Sequence, residues 1–289
     1  MVCCAAETYG YGIFKKTLVG QKKLRHQRWR KKHDKYFLRF TYAEEVALNR
    51  TPVKEQTICS VDLGINTDAV CTIMRPDGTI LGRKFINFPS DKDRMYRVLG
   101  RIRRFQREHG SRQVQGRWAY AKRLNTELGK KIAREIVFYA SENRADVIVF
   151  EYLEMKGKLS GKKKQKLQMW RKRDIQKRCG QQAHRKGIRI SRICAWNTSR
   201  LAFDGSGKID RDIQDHRLCT FQNGKRYNCD LSASYNIGAR YFIREILKPL
   251  PATERSLLEA KVPAVKRRTS CVYADLRDLI SEMELRKAA

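Results

Sequence analysis

Acidic residues are scarce in this 289-residue chain, 30 against 63 lysines and arginines, leaving a formal charge of +33. A chain this positive repels itself unless a polyanion screens it, and release of condensed counterions makes nucleic acid its natural partner. A ribosomal or histone-like structural protein would share that signal. A membrane-surface protein would gather the charge on one amphipathic helix instead of spreading it along the whole length. Long apolar runs are also missing, none approaching the roughly 20 residues that cross a bilayer, so no membrane partner is expected. The opening stretch, with Cys3, Cys4, Glu7 and two Gly-Tyr steps, has neither the basic start nor the apolar segment of a secretory leader. A cytoplasmic, nucleoid-associated location is expected. Nine cysteines are present, at 3, 4, 59, 71, 179, 194, 219, 229 and 271, yet no Cys-x-x-Cys pair occurs. That spacing argues against regular zinc knuckles and fits a reducing compartment. No internal repeat is found. At 41% hydrophobic and 9% aromatic the chain is globular, long enough for one substantial core plus an appendage.

The first 56 residues hold a block from Lys15 to Arg39 with eleven basic residues against one acid, Asp34. Trp29, Tyr36, Phe37 and Phe40 are interleaved with those charges, and Lys35 to Tyr42 alternates like a strand, so a two-stranded β remnant is expected. The block reads either as a wall that grips backbone and stacks bases or as a solvated basic face. Three strand-like runs follow, Thr57 to Leu63, Ala69 to Met74 and Thr79 to Phe85, the last two joined by the turn Arg75-Pro76-Asp77-Gly78. They form an antiparallel meander. Two helices are expected next, about Asp91 to His109 and about Arg117 to Asn143. In the second, Ala121, Leu124, Leu128, Ile132, Ile136 and Ala140 define one buried stripe.

Asp146 to Tyr152 is a near-continuous β-branched run, typical of an interior parallel strand. Meander, long helix and parallel strand together give the order of an RNase H-like half-domain. Lys156 to Arg178 again carries eleven basic residues against one acid, Asp174, and leads into a helix up to about Lys186; Ile188 to Cys194 is a fifth strand. Residues 197–228 have few apolar anchors and read as a small insertion or loop. A helix begins at Asp230, with Leu231, Tyr235, Gly238, Phe242 and Ile246 on one side, and ends at Pro249 and Pro251; a short helix is expected near Asp275 to Leu285.

Three acids stand out. Asp62 ends an apolar strand, Glu151 follows Val-Ile-Val-Phe, and Asp230 opens a helix. Hydrolysis of phosphodiesters by divalent metals needs hard oxygen ligands converging from different elements, about 3.5 to 4 Å between the two ions. Each acid also has a plainer reading: Asp230 as a helix N-cap, Asp62 as a turn former. Glu151 is hardest to dismiss, since an ionised carboxylate there is expensive to bury without a cation.

Ser60-Val61-Asp62-Leu63-Gly64-Ile65-Asn66, Val149-Phe150-Glu151-Tyr152-Leu153, Thr198-Ser199 and Asp230-Leu231-Ser232-Ala233-Ser234-Tyr235-Asn236-Ile237 resemble the successive signatures of the TnpB (OrfB) family. Those are transposon-encoded RNA-guided DNA nucleases with a RuvC domain, related to type V CRISPR effectors. The resemblance covers about residues 57 to 246. It implies an α/β fold with an RNase H-like (RuvC) mixed five-stranded sheet and flanking helices. It also implies a guide RNA, a DNA target and two Mg²⁺ ions held by Asp62, Glu151 and Asp230, which are thus both catalytic residues and metal ligands; no small-molecule substrate is expected. Lys22, Lys23, Arg28, Arg30, Lys31, Arg101, Arg104, Lys162, Lys163, Lys164, Arg171 and Arg173 are the candidate nucleic-acid contacts.

The expected parts are a truncated oligonucleotide-binding-like wedge remnant (1–56), the first part of the nuclease domain (57–196), a degenerate zinc-ribbon insertion (197–228), the C-terminal nuclease helix (229–248) and a tail (249–289). Where the family carries two Cys-x-x-Cys knuckles, this chain has Ala202 and Gly205, then Cys219 and Gln222. One thiolate of four cannot hold tetrahedral zinc, so zinc is not expected. The expected function is an RNA-guided, Mg²⁺-dependent DNA endonuclease of a transposable element; the alternative is a catalytically impaired RNA- or DNA-binding remnant.

Overall fold

The computed structural model describes residues 23–32, 35–43, 45–110, 114–152, 172–267 and 269–288. Contacts divide the chain after Ala47 into two compact units. The first contains an antiparallel hairpin of β1 (Lys23–Lys32) and β2 (Lys35–Ala43), paired from Lys23 opposite Ala43 to Lys32 opposite Lys35, with an irregularity between Leu24 and His26. Tyr36 and Phe37 are exposed on it.

The second unit is built on a five-stranded mixed sheet in the order β5-β4-β3-β6-β7. Strands β3 (Ile58–Asp62), β4 (Ala69–Met74) and β5 (Ile80–Ile86) form the antiparallel meander, and β6 (Val147–Tyr152) and β7 (Arg189–Cys194) add in parallel beside β3. Gly78 closes the β4–β5 turn with φ 83°, a conformation glycine adopts without a Cβ penalty, and Asp77 accepts from the Thr79 amide at 2.8 Å.

Alternate strand residues face opposite layers, as a two-residue period requires. Cys59, Val61, Cys71, Ile148 and Phe150 pack beneath α2 (Gln115–Glu142) and α3 (Lys172–His184), which bring Ile132, Ile136, Ile175 and Cys179. Helix α1 (Pro89–His109) packs on α2 through Met95, Ile102 and Ala121. On the other face, Ile58, Val70, Met74, Val147 and Val149 meet α4 (Cys229–Leu247). Two further helices, α5 (Ala252–Lys261) and α6 (Tyr273–Ala288), complete that layer with Leu258, Leu276 and Leu279.

Helix α4 differs from the one-sided amphipathic helix its spacing predicts: every residue from Leu231 to Ile243 is buried. The sheet covers one side and α6 another, so its small and polar positions also need partners. Ser234 shares a hydrogen bond with Thr72 at 2.6 Å. A Cβ on Gly238 would come within 2.9 Å of the Met74 sulfur and 3.1 Å of Ser60 Oγ, so glycine permits this close approach to the sheet. Residues 197–228, expected as a small insertion or loop, hold a small sheet. Its strands β8 (Asp210–Arg211), β9 (Leu218–Thr220) and β10 (Arg226–Asn228) form an antiparallel sheet. It closes over Ala202, Cys219, Phe221 and Cys229, with Phe203 and Tyr227 alongside.

Buried Arg240 ties α4 to its surroundings, donating to the carbonyls of Cys271 at 2.7 Å, Cys194 at 3.0 Å and Trp196 at 2.7 Å. Each carbonyl left unpaired would cost about 1–3 kcal/mol. Arg240→Met, similar in length and apolar, is therefore expected to lower the unfolding free energy by about 3 kcal/mol or more in urea titration. An unchanged midpoint would mean that these three bonds contribute nothing net.

Candidate functional site

Two of the three acids are brought together by strand pairing. β3 and β6 run parallel with Ile58 opposite Val147 and Val61 opposite Phe150. Continuing that register by one residue sets Asp62 beside Glu151. Both are buried, at 7% and 8% exposure. Asp230 arrives from the helical layer that this face of the sheet packs against, in the first turn of α4. The cap of that helix is Asn228, whose side chain accepts from the Leu231 amide at 2.9 Å. This resolves the plainer reading of Asp230: another residue caps the helix, and the Asp230 carboxylate faces the turn after β3. A Cβ on Gly64 would lie 3.7 Å from Asp230 Oδ2 and collide with the Thr67 carbonyl, which explains the glycine there.

The carboxylates are held by neighbours that residue patterning alone does not single out. The Thr198 hydroxyl donates to Glu151 Oε1. Thr198 is fixed in turn by Asn236 of α4, which donates to its carbonyl at 3.0 Å and to that of Leu201 at 2.9 Å. Gln176 donates to the Glu151 backbone carbonyl at 2.9 Å and accepts from Arg192 at 3.1 Å. The Lys172 ammonium stands 3.9 Å from Glu151 Oε2. Arg211, on β8, donates to the Ser199 carbonyl at 3.1 Å, and its charge acts on Asp62 and Asp230.

Burial pushes the Asp62 carboxyl well above its ordinary range. The Glu151 charge adds to the shift, Lys172 opposes it, Asp230 adds again, and Arg211 opposes. Burial also raises Asp230, against a hydrogen bond from the Thr67 side chain and the charges of Arg211 and Lys172. The Lys172 ammonium is lowered by burial, against the pull of Asp62, Glu151 and Asp230. These are mutually compensating charges in one poorly solvated volume.

Three hard carboxylates with surplus negative charge suit Mg²⁺ in donor chemistry. An ammonium stands beside one of them, Glu151, however, and among the described residues no group of three or more His, Cys, Asp or Glu stands ready to hold a metal ion. A cleft lined by Thr67, Phe85, Asn87, Asp215, Arg217 and Leu218 opens beside the residue that supports Asp230.

Of the candidate nucleic-acid contacts, Arg101 and Arg104 are exposed on α1, where Arg103, Arg104 and Arg107 line a groove. Sequence reasoning missed the aromatic partner of that face. Tyr96 is 71% exposed, with the Arg103 guanidinium 5.9 Å from its ring centre. Arg173 is exposed on α3. Lys23, Arg28, Arg30 and Lys31 lie on β1, with the Lys31 ammonium 5.5 Å from the Tyr36 ring centre. Lys22, Lys162, Lys163, Lys164 and Arg171 fall outside the described residues.

No family model matches the chain. No curated protein matches it either. Solved structures do. A cryo-EM structure of a Cas12f1–sgRNA–target DNA complex is similar with a TM-score of 0.51 and 18% identity, over 72% of this chain and 54% of that one. A CRISPR-Cas12f ternary complex aligns at 0.46 and 15%, over 80% and 48%. A Cas12i–crRNA–dsDNA complex aligns at 0.44 and 10%, over 91% and 43%. The chain thus spans about half the length of the first of these, and the likeness to it is one of fold.

A carboxyl raised by folding binds a proton that the unfolded chain releases, so its contribution to stability falls as pH rises above about 4. Asp62→Asn removes that dependence. Calorimetry of metal-free protein should show the variant gaining stability relative to wild type with rising pH, by up to about 1.4 kcal/mol per pH unit within the titration window. A difference that stays flat would count against burial of an ionisable Asp62.

Proposed function

We propose that this chain is an RNA-guided DNA endonuclease with an RNase H-like (RuvC) site. The observation that carries this reading is the convergence of Asp62, Glu151 and Asp230 from two parallel strand ends and a helix start. The fold shared with the Cas12f1 protein supports it. The sequence resemblance to TnpB-type proteins adds the transposon setting, the guide RNA and the DNA target.

Asp62, Glu151 and Asp230 would hold two Mg²⁺ ions, which when bound supply an activated water and charge stabilisation at the scissile phosphate. The protein's own residues do the positioning. Thr198 orients Glu151, Asn236 holds the Thr198 turn, and Thr67 supports Asp230. The exposed arginines of α1 would take the phosphate backbone, with Tyr96 offering a ring for base stacking. In this reading β8–β10 is a zinc-free ribbon, closed by Ala202, Phe221 and the aromatic neighbours Phe203 and Tyr227.

A second reading, binding without cleavage, draws on the ammonium beside Glu151. A mobility-shift assay and a cleavage assay on the same RNA-loaded sample separate the two. Asp62→Ala or Glu151→Ala should lower Mg²⁺-dependent cleavage on the order of 10³-fold, while complex formation persists. Cleavage unchanged in both variants would end the nuclease assignment. Replacing Arg101 and Arg104 together with alanine should reduce the slope of log affinity against log salt by about 1.4–1.8, the value for two lost phosphate contacts. A parallel offset with unchanged slope would show that these arginines do not meet phosphate.

A further inference from the structure

A lysine is not part of the donor set that metal-dependent hydrolysis needs, yet Lys172 stands beside it. It is the first residue of α3, its ammonium is 3.9 Å from Glu151 Oε2, and only 12% of its side chain is exposed. Its charge also acts on Asp62 and Asp230. Burying an ammonium is costly unless carboxylates meet it, and burying three carboxylates is costly without a cation. Each group therefore accounts for the other in the metal-free protein.

Among the described residues no three acids stand ready to hold a metal, and the ammonium beside Glu151 is a cation already in place there. Cations packed into one small volume repel, at a distance where Coulomb energy is large. Three carboxylates cannot neutralise two divalent ions and an ammonium together. Lysine suits an exchange of this kind, being a compact charge on a flexible four-carbon stem.

The geometry points to Lys172 as a built-in counter-cation that occupies the space between Asp62, Glu151 and Asp230 and swings out when divalent metal binds. This rests on the reading of those acids as metal ligands. Lys172 is in this sense a positioning residue, keeping the carboxylates paired until metal replaces it.

The test begins with the wild-type full chain. Acetylation by an N-hydroxysuccinimide ester, followed by mass spectrometry of the Lys172 peptide, should be slow without metal and several-fold faster at saturating Mn²⁺. Protection that is equal with and without Mn²⁺ overturns the proposal. Mn²⁺ titration of Lys172→Met should give a dissociation constant about tenfold lower than wild type, one cation having been removed from the site. An equal or higher constant also overturns it, and if that variant does not fold the wild-type acetylation decides alone. Glu151→Gln separates the two layers of the argument. If wild type binds Mn²⁺ no better than Glu151→Gln, the metal-site reading fails and the lysine exchange fails with it. If wild type binds Mn²⁺, Glu151→Gln does not, and Lys172 stays protected, only the exchange is wrong.

Discussion

Parallel pairing of β3 with β6 is the constraint on which the site depends. Asp62 and Glu151 are far apart in sequence, and only a crossover through α1 and α2 lets their strands run side by side in the same direction. A one-residue slip would turn either carboxylate to the opposite layer, because side chains alternate along a strand. The register is secured by what lies beneath it: Cys59, Val61, Ile148 and Phe150 face α2, while Ile58, Val147 and Val149 face α4. The apolar pattern thus specifies the meeting of two charges that it would otherwise oppose. Bringing like charges within about 4 Å costs several kcal/mol at the effective dielectric of a protein surface, so cationic and hydroxyl partners must be supplied. Lys172, Arg211 and Thr198 supply them from three separate elements.

Helix α4 couples the site to the rest of the second unit. Its first turn carries Asp230, its middle carries Asn236 for the Thr198 turn, and Arg240 one turn further holds the end of β7 and the segment leading into α6. Burial on nearly every side allows one helix to serve all three connections. The insertion adds another. The Cys229 amide bonds to the Arg217 carbonyl at 2.8 Å, so the small sheet abuts the start of α4. The aromatic cluster of Phe203, Tyr227, Tyr235 and Tyr273 joins them, with ring centres of contacting pairs 5.0 to 6.4 Å apart. Strand β8, and with it Arg211, is held by its pairing with β9, where Arg211 lies opposite Cys219.

Much of this was legible because the signals were strong and local. The run Val147 to Phe150, the Pro76-Asp77-Gly78 turn and the Ile132, Ile136, Ala140 stripe each state their own structure, and all three are present. The three acids could be singled out as candidates because a carboxylate beside an apolar run is anomalous. Lys172 was not, because it sits in a stretch where every second or third residue is basic and nothing local marks which one turns inward. Residue patterning gave 197–228 only as a small insertion or loop because strands of two or three residues are too short to show a period. Its apolar anchors, Ala202, Cys219, Phe221 and Cys229, converge only through tertiary contact. Helix α4 appeared one-sided because Ala233, Ser234 and Asn236 are small or polar, and their burial depends on α6, on Thr72 and on the Thr198 turn. Asn228 and Asp230 are both capping residue types two positions apart, so sequence alone could not choose between them.

The charge distribution sets one further physical condition on the site. A protein of +33 repels small cations at long range, while the three carboxylates attract them only within the roughly 8–10 Å over which salt leaves a field unscreened. A polyanion lying on the basic face of α1 reverses the long-range term. It brings its own condensed counterions and raises the local concentration of divalent metal. If the three acids hold metal as proposed, metal occupancy and polyanion binding are thermodynamically linked, each favouring the other by the same factor. Lys172 steepens this linkage, because an ammonium leaving the carboxylates needs a new anion, and a bound phosphate backbone would provide one. On the proposed reading of the three acids as metal ligands, the lysine and the basic surface together would make metal binding favoured when nucleic acid is present.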